Sequence, residues 1–240
     1  MVTKNKRTAD GGVILLDLTY NLDPSAVAKR LKYRGDGQRV ADAAEELTRV
    51  VTSIARPKAL YRRCQVSRIN DSTIEIEDVK LKSRVLSKLF VDQDTVFPYI
   101  LTIGPELAEY NIPSSDMLSR FWLDSIKEMV LHAAGQTFSD YLQKIYPATR
   151  LTHINPGEID DWPITQQKLL FSLFDDSTKK IGVTLTSGSV INPIKSRSGL
   201  YFPNDKGFET CRLCRQLKCP GRRAAYNADI AAEFTGNRTI

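Results

Sequence analysis

Residues 150–167 read RLTHINPGEIDDWPITQQ. The Pro156-Gly157 pair marks a turn between two apolar segments, and a glycine at 157 lets backbone amides come close to a ligand. The stretch therefore reads as a loop over 150–163. Pro163 stands where a first-turn proline belongs, after Asp160 and Asp161 as cap candidates, so a helix is expected over 164–174. The free amide groups at such a helix start would suit an anion. A helix–helix connector with a buried Trp162 accounts for the same residues.

On the N-terminal side, Met117 or Leu118, Phe121, Trp122, Ile126, Met129, Val130, Ala133, Phe138, Tyr141 and Ile145 recur at helical steps. They predict a helix over 115–146 about 45 Å long, capped by Ser114 or Ser115 and closed by Pro147. Further upstream the pattern gives a strand at 13–18, a helix from Asp23-Pro24 to Leu31 and a helix over 38–55 that stops before Pro57. Strands at 59–66 and 73–76 flank an Asn70-Asp71-Ser72 turn. A helix at 83–90 and a buried strand at 97–103 follow, and beyond the loop come strands at 181–186 and 195–202. Helices and strands in no regular alternation argue an α+β fold, with a mixed, largely antiparallel sheet and long helices.

The 240-residue chain is long enough for one large domain or two small ones, and 42% apolar with 26% charged residues is the balance of a globular protein. No run of 18 apolar residues occurs, and the polar start over 1–10 has no signal-type apolar core. Of the four cysteines, three cluster at Cys211, Cys214 and Cys219, which is not a secreted disulfide framework. The expectation is a cytoplasmic protein with no membrane partner. Phosphate-loop, dinucleotide-fold and serine-elbow motifs are absent. The two histidines, His132 and His153, exclude a histidine-rich metal site, and His132 reads as a helix-surface or packed histidine of the long helix.

The 150–167 stretch, followed by Ile181-Gly-Val-Thr-Leu-Thr-Ser187 and by Pro193-Ile-Lys-Ser-Arg-Ser198-Gly199-Leu-Tyr201-Phe202, resembles the activation domain of cobalamin-dependent methionine synthase. Ala133-Ala-Gly-Gln136-Thr-Phe138-Ser-Asp140 precedes it in the family's order, and Leu101-Thr-Ile-Gly104 fits as well. The resemblance implies an extension over 1–24, an activation-domain-like body over 25–205 and a Cys/Arg-rich tail over 206–240. It also implies a free-standing, methyltransferase-associated protein of methionine biosynthesis that binds S-adenosylmethionine as methyl donor. Its partner, a corrinoid protein or cobalamin methyltransferase, would carry the cobalamin, and a flavodoxin-like donor would supply the electron. The family's Arg-x-x-x-Gly-Tyr signature places its glycine on Gly157, its arginine on His153 and its tyrosine on Glu158. An acidic helix position falls on Gln136, and the later Ser-Gly and tyrosine on Ser198, Gly199 and Tyr201. Histidine would meet a carboxylate singly and only when protonated; Arg150 is a substitute for the missing fork, and Glu158 suits an amino group. Trp162 joins Gly157 and Tyr201 as a bet for the ligand face.

The Cys211-x-x-Cys214-x-x-x-x-Cys219 spacing suits zinc or an iron–sulfur cluster, with Cys64, a cofactor or another chain as fourth ligand, or else free thiols. Two other functions fit the same residues. The basic run Arg212, Arg215, Lys218, Arg222 and Arg223 would serve a metal-ribbon nucleic-acid module, although it lacks interleaved aromatics beyond Tyr226. The departures at His153 and Glu158 would also fit a non-catalytic scaffold of the same fold.

Overall fold

The strand Thr95–Thr102 (TVFPYILT) organises the chain, and every residue of it after Thr95 is buried. Such a run suits a strand covered on both faces rather than on one. A computed structural model describes residues 3–5 (backbone only), 12–31, 37–113, 115–148, 150–204, 207–219 and 221–236. In it, Thr95–Thr102 is the hub of a nine-stranded sheet whose pairings are all antiparallel. One flank carries Lys58–Tyr61, then Ile14–Asp17 and Thr3–Asn5; the other carries Ser196–Pro203 and then Leu151–Ile154. Cys64–Asn70 pairs with the start of the hub strand and continues into Thr73–Ile76 and Val79–Lys82.

Alternation sends Tyr61, Phe97, Tyr99, Leu101 and Tyr201 to one face and Leu60, Val96, Ile100, Leu200 and Phe202 to the other. The first face packs against Pro24–Leu31, Gly37–Ile54 and the long helix Met117–Ile145. The second is covered by the helix Arg84–Leu89, the short helix Gln167–Ser172 and the C-terminal helix Ala228–Thr235, with Trp162 and Phe174 in the layer between. Phe208, Leu213 and Ala231 are also buried in this second core, and the Phe208 ring lies tilted 6.4 Å from Phe202. No helix among the described residues is long and apolar enough to cross a membrane.

The α+β expectation holds, with local corrections. The 59–66 strand is two strands, and the break falls opposite Pro98, whose carbonyl accepts from Arg62 N–H at 3.1 Å and whose nitrogen has no proton to give. The long helix starts at Met117, capped by the Asp116 carboxylate on Ser119 N–H rather than by Ser115, while Ser114 lies outside the described residues. Its buried stripe begins at Trp122, so Met117 and Phe121, 78% and 67% exposed, are not core. The expected 164–174 helix is a 3-10 turn, Ile164–Gln166, followed by Gln167–Ser172, too short to hold an anion by its dipole. The 181–186 strand shrinks to Thr184–Leu185, because a 3-10 stretch runs to Ile181 and ends on Gly182 at φ +67°.

Asp161, one of the two cap candidates, caps a different helix from the expected one. Asp161 accepts from Val85 N–H at 2.9 Å and from the Ser83 hydroxyl, and Ser83 in turn accepts from Leu86 N–H at 3.0 Å. These contacts tie the 150–163 loop to the start of Arg84–Leu89. Asp161→Ala is expected to lower stability by about 1–2 kcal/mol, read as a lower urea midpoint. An unchanged midpoint would show that this cap contributes nothing.

Candidate functional site

The residues singled out at 153–158 and 198–201 meet because 151–154 is a strand, not the expected loop. Leu151–Ile154 pairs with the end of Ser196–Pro203 and sets His153 opposite Tyr201. On its other side Tyr201 faces Phe97, and Gly199 faces Tyr99. Tyr201 is 4% exposed, with its ring 4.9 Å from Tyr99, 5.5 Å from Phe138 and 5.1 Å from His153. It is the buried wall of the cluster rather than an open ligand face.

Gly199 is needed for a close approach. A Cβ there would fall on Asn155 Oδ1 and within 2.5 Å of the Ile154 carbonyl oxygen. The Asn155 amide group fills that space instead. Its Oδ1 accepts from the Tyr99 hydroxyl at 2.6 Å, and its Nδ2 donates to Glu158 Oε1 at 2.7 Å. The Asn155 backbone N–H donates to Glu158 Oε2 at 3.2 Å. A buried relay thus runs from the hub strand to the Glu158 carboxylate, which sits at the Pro-Gly turn. Gly157, at φ +85°, closes that turn with its N–H on the Trp162 carbonyl at 2.8 Å. Burial pushes the Glu158 acid up, while the Asn155 hydrogen bonds, Arg197 and Arg223 pull it down.

His153 is held neutral. Burial first, then Arg223 and Arg197, push its pKa down to about 3. The protonated imidazole that single contact with a carboxylate would require is therefore not populated near neutral pH. The permanent cations of the cluster are Arg197 and Arg223, which act on His153, Glu158, Tyr99 and Tyr201 alike. Arg150 is exposed and is not among the groups acting on them. Sequence reasoning missed Arg197, Arg223, Asn155 and Tyr99. The signal for Arg197 was available, since 197, 199 and 201 share a strand face by alternation.

The other chosen residues stand apart. Ser198 points to the second core, where its hydroxyl donates to Gln167 Oε1 at 2.9 Å. Gln136 is exposed on the long helix and donates to Asp140 at 2.8 Å. Trp162, fully buried in the second core, does not join the ligand face. Two surface clefts lie elsewhere, one beside Ala28 and Val40 and one beside Tyr20 and Arg56. The first has no aromatic group; the second combines Tyr20 with Asp17, Glu106, Arg56 and Lys58, and neither includes His153, Glu158 or Tyr201.

Cys211, Cys214 and Cys219 are free thiols, and among the described residues no group of three or more His, Cys, Asp or Glu is placed to hold a metal ion. Cys64 is buried in the second core, where burial raises its thiol to about 12. Arg222 occupies the centre of the cysteine loop, donating to the carbonyls of Cys211, Cys214, Gln216 and Ala224 at 2.7–2.9 Å. That inward use removes it from any phosphate-contacting face.

No known protein-family model matches the chain, and no curated protein matches it. A solved structure does: the crystal structure of the MetH reactivation domain bound to AdoHcy, at 15% identity and a TM-score of 0.60, over 84% of this chain and 82% of that one. The chain thus has a fold like that of the methionine synthase reactivation domain.

Two outcomes follow from the cluster. Gly199→Ala forces Asn155 aside and is expected to cost about 1–3 kcal/mol in thermal or chemical unfolding, with part of the loss recovered in Gly199→Ala/Asn155→Ala. Full additivity of the two changes would contradict the contact. For His153, the unfolded chain takes a proton near pH 6.5 while the folded chain resists it down to about 3. Its contribution to stability is present above pH 6.5 and lost as pH falls through that window. The slope of stability against pH from 6.5 to 3 should flatten in His153→Gln; an unaltered slope would count against a buried neutral imidazole.

Proposed function

We propose that the chain is an activation-domain-like protein that assists the reductive reactivation of a corrinoid held by a partner, with S-adenosylmethionine as methyl donor. The observation that carries the reading is the placement of His153, Gly157 and Glu158 on one strand and turn of a reactivation-type fold, with the charges of Arg197 and Arg223 acting on His153 and Glu158. The donor set fits the amino-acid end of that ligand. Glu158 offers a carboxylate to an ammonium group, the two arginines offer positive charge to a carboxylate, and the Pro-Gly turn brings backbone close. When bound, S-adenosylmethionine supplies its sulfonium methyl group to the reduced cobalt of the partner's corrinoid, leaves as S-adenosylhomocysteine, and the cobalt's electron comes from a flavodoxin-like donor. The chain's own part is to bind and orient: Asn155 fixes the Glu158 carboxylate from two sides, and Tyr99 fixes Asn155.

The partner in this reading is a corrinoid protein or cobalamin methyltransferase, and the reading calls for no metal at Cys211, Cys214 and Cys219, which form no metal-holding group among the described residues. The test is calorimetric titration of anaerobically purified protein with S-adenosylmethionine. Saturable binding that weakens about tenfold, or 1.4 kcal/mol, in Glu158→Gln is expected. A folded protein that shows no heat of binding would sink the reading and leave a scaffold that kept the fold without the ligand.

A further inference from the structure

Arg197 shares the His153 face of its strand with Gly199 and Tyr201. Its side chain is half-buried, and among the described residues it makes no hydrogen bond or ion pair. A guanidinium has five donors and remains charged, so a half-buried one without such a partner calls for an anion. Arg223 reaches the same place from the C-terminal segment. The Thr210 hydroxyl donates to the His153 carbonyl at 3.4 Å, which lays that segment along the strand. Arg222 ties the following loop together through its four carbonyl contacts, and Arg223 N–H donates to Cys211 Sγ at 3.4 Å. The Arg223 Nε then lies 3.3 Å from Glu209 Oε2.

The charges decide what would fit. Of the two guanidinium groups, only that of Arg223 is paired with a carboxylate, Glu209, beside a neutral imidazole. One positive charge is left uncancelled, with Glu158 close by. A phosphate dianion would overcharge this arrangement and face both glutamates. A single carboxylate bearing a neighbouring ammonium group matches it, the ammonium falling to Glu158.

We propose that Arg197 and Arg223 form a carboxylate-binding site beside His153, so that the C-terminal segment supplies part of the ligand site. The ligand's identity, though not the anion site, rests on the function proposed above.

Two measurements separate these. In calorimetry, S-adenosylhomocysteine is compared with methylthioadenosine, which keeps the nucleoside thioether and lacks the amino-acid end. Arg197→Ala and Arg223→Gln, the latter keeping part of the side-chain stem in place, should each weaken S-adenosylhomocysteine about tenfold or more while leaving methylthioadenosine unchanged. Equal loss of both ligands, or loss of neither, overturns the proposal. In the second, His132→Gln leaves His153 as the sole imidazole, followed by NMR during acetate titration at constant ionic strength. A saturable His153 shift, abolished by Arg223→Gln, is expected. Acetate binding without nucleoside binding would retain the anion site and sink the adenosylmethionine reading. Absence of a His153 response to acetate overturns the site itself.

Discussion

The missing side chain at Gly199 is the constraint on which the site depends. With no Cβ there, Asn155 can lie against the strand Ser196–Pro203 and accept from Tyr99 while donating to Glu158. The three groups come from the hub strand and from the turn that follows the edge strand Leu151–Ile154, so one small residue fixes the position of that turn against the sheet. Polar atoms buried this deeply must be paired to be tolerated, and the relay pairs them in series.

The two cores explain why the relay can be buried at all. On one side Phe138 of the long helix packs against Tyr61, Tyr99 and Tyr201, so the aromatic wall of the site is also the floor of the first core. On the other side Trp162 and Leu170 hold the far end of the 150–167 stretch in the second core. The Pro-Gly turn is thereby pinned at both ends, by strand pairing at His153 and by Asp161 on Arg84–Leu89. Burial has a chemical result as well. It makes His153 a neutral neighbour of two arginines rather than a third cation.

Much of this was legible in the sequence. The helical period of 115–146, the proline stop after 55 and the apolar run at 97–103 each carry a strong local signal, and all three elements form. Residues 151–154 did not carry one. Leu-Thr-His-Ile is too short to show alternation beside Pro156-Gly157, and it becomes a strand only because Ser196–Pro203 offers an edge distant in sequence. The long helix misled at Met117 and Phe121 because periodicity reports a stripe, not how far the sheet extends to cover it. Asp161 misled because a cap candidate can serve any helix start within reach. Arg223 was read as part of a basic run, and its place near His153 depends on the folding-back of 207–223, which no local pattern encodes.

The most direct test of the account is hydrogen–deuterium exchange with and without S-adenosylhomocysteine. The account predicts slowed exchange at 153–158, 197–201 and 221–224 together, because strand, turn and C-terminal loop would close on one ligand. Protection confined to the cleft between Pro24–Leu31 and Gly37–Ile54, or no protection anywhere at saturating ligand, would contradict it.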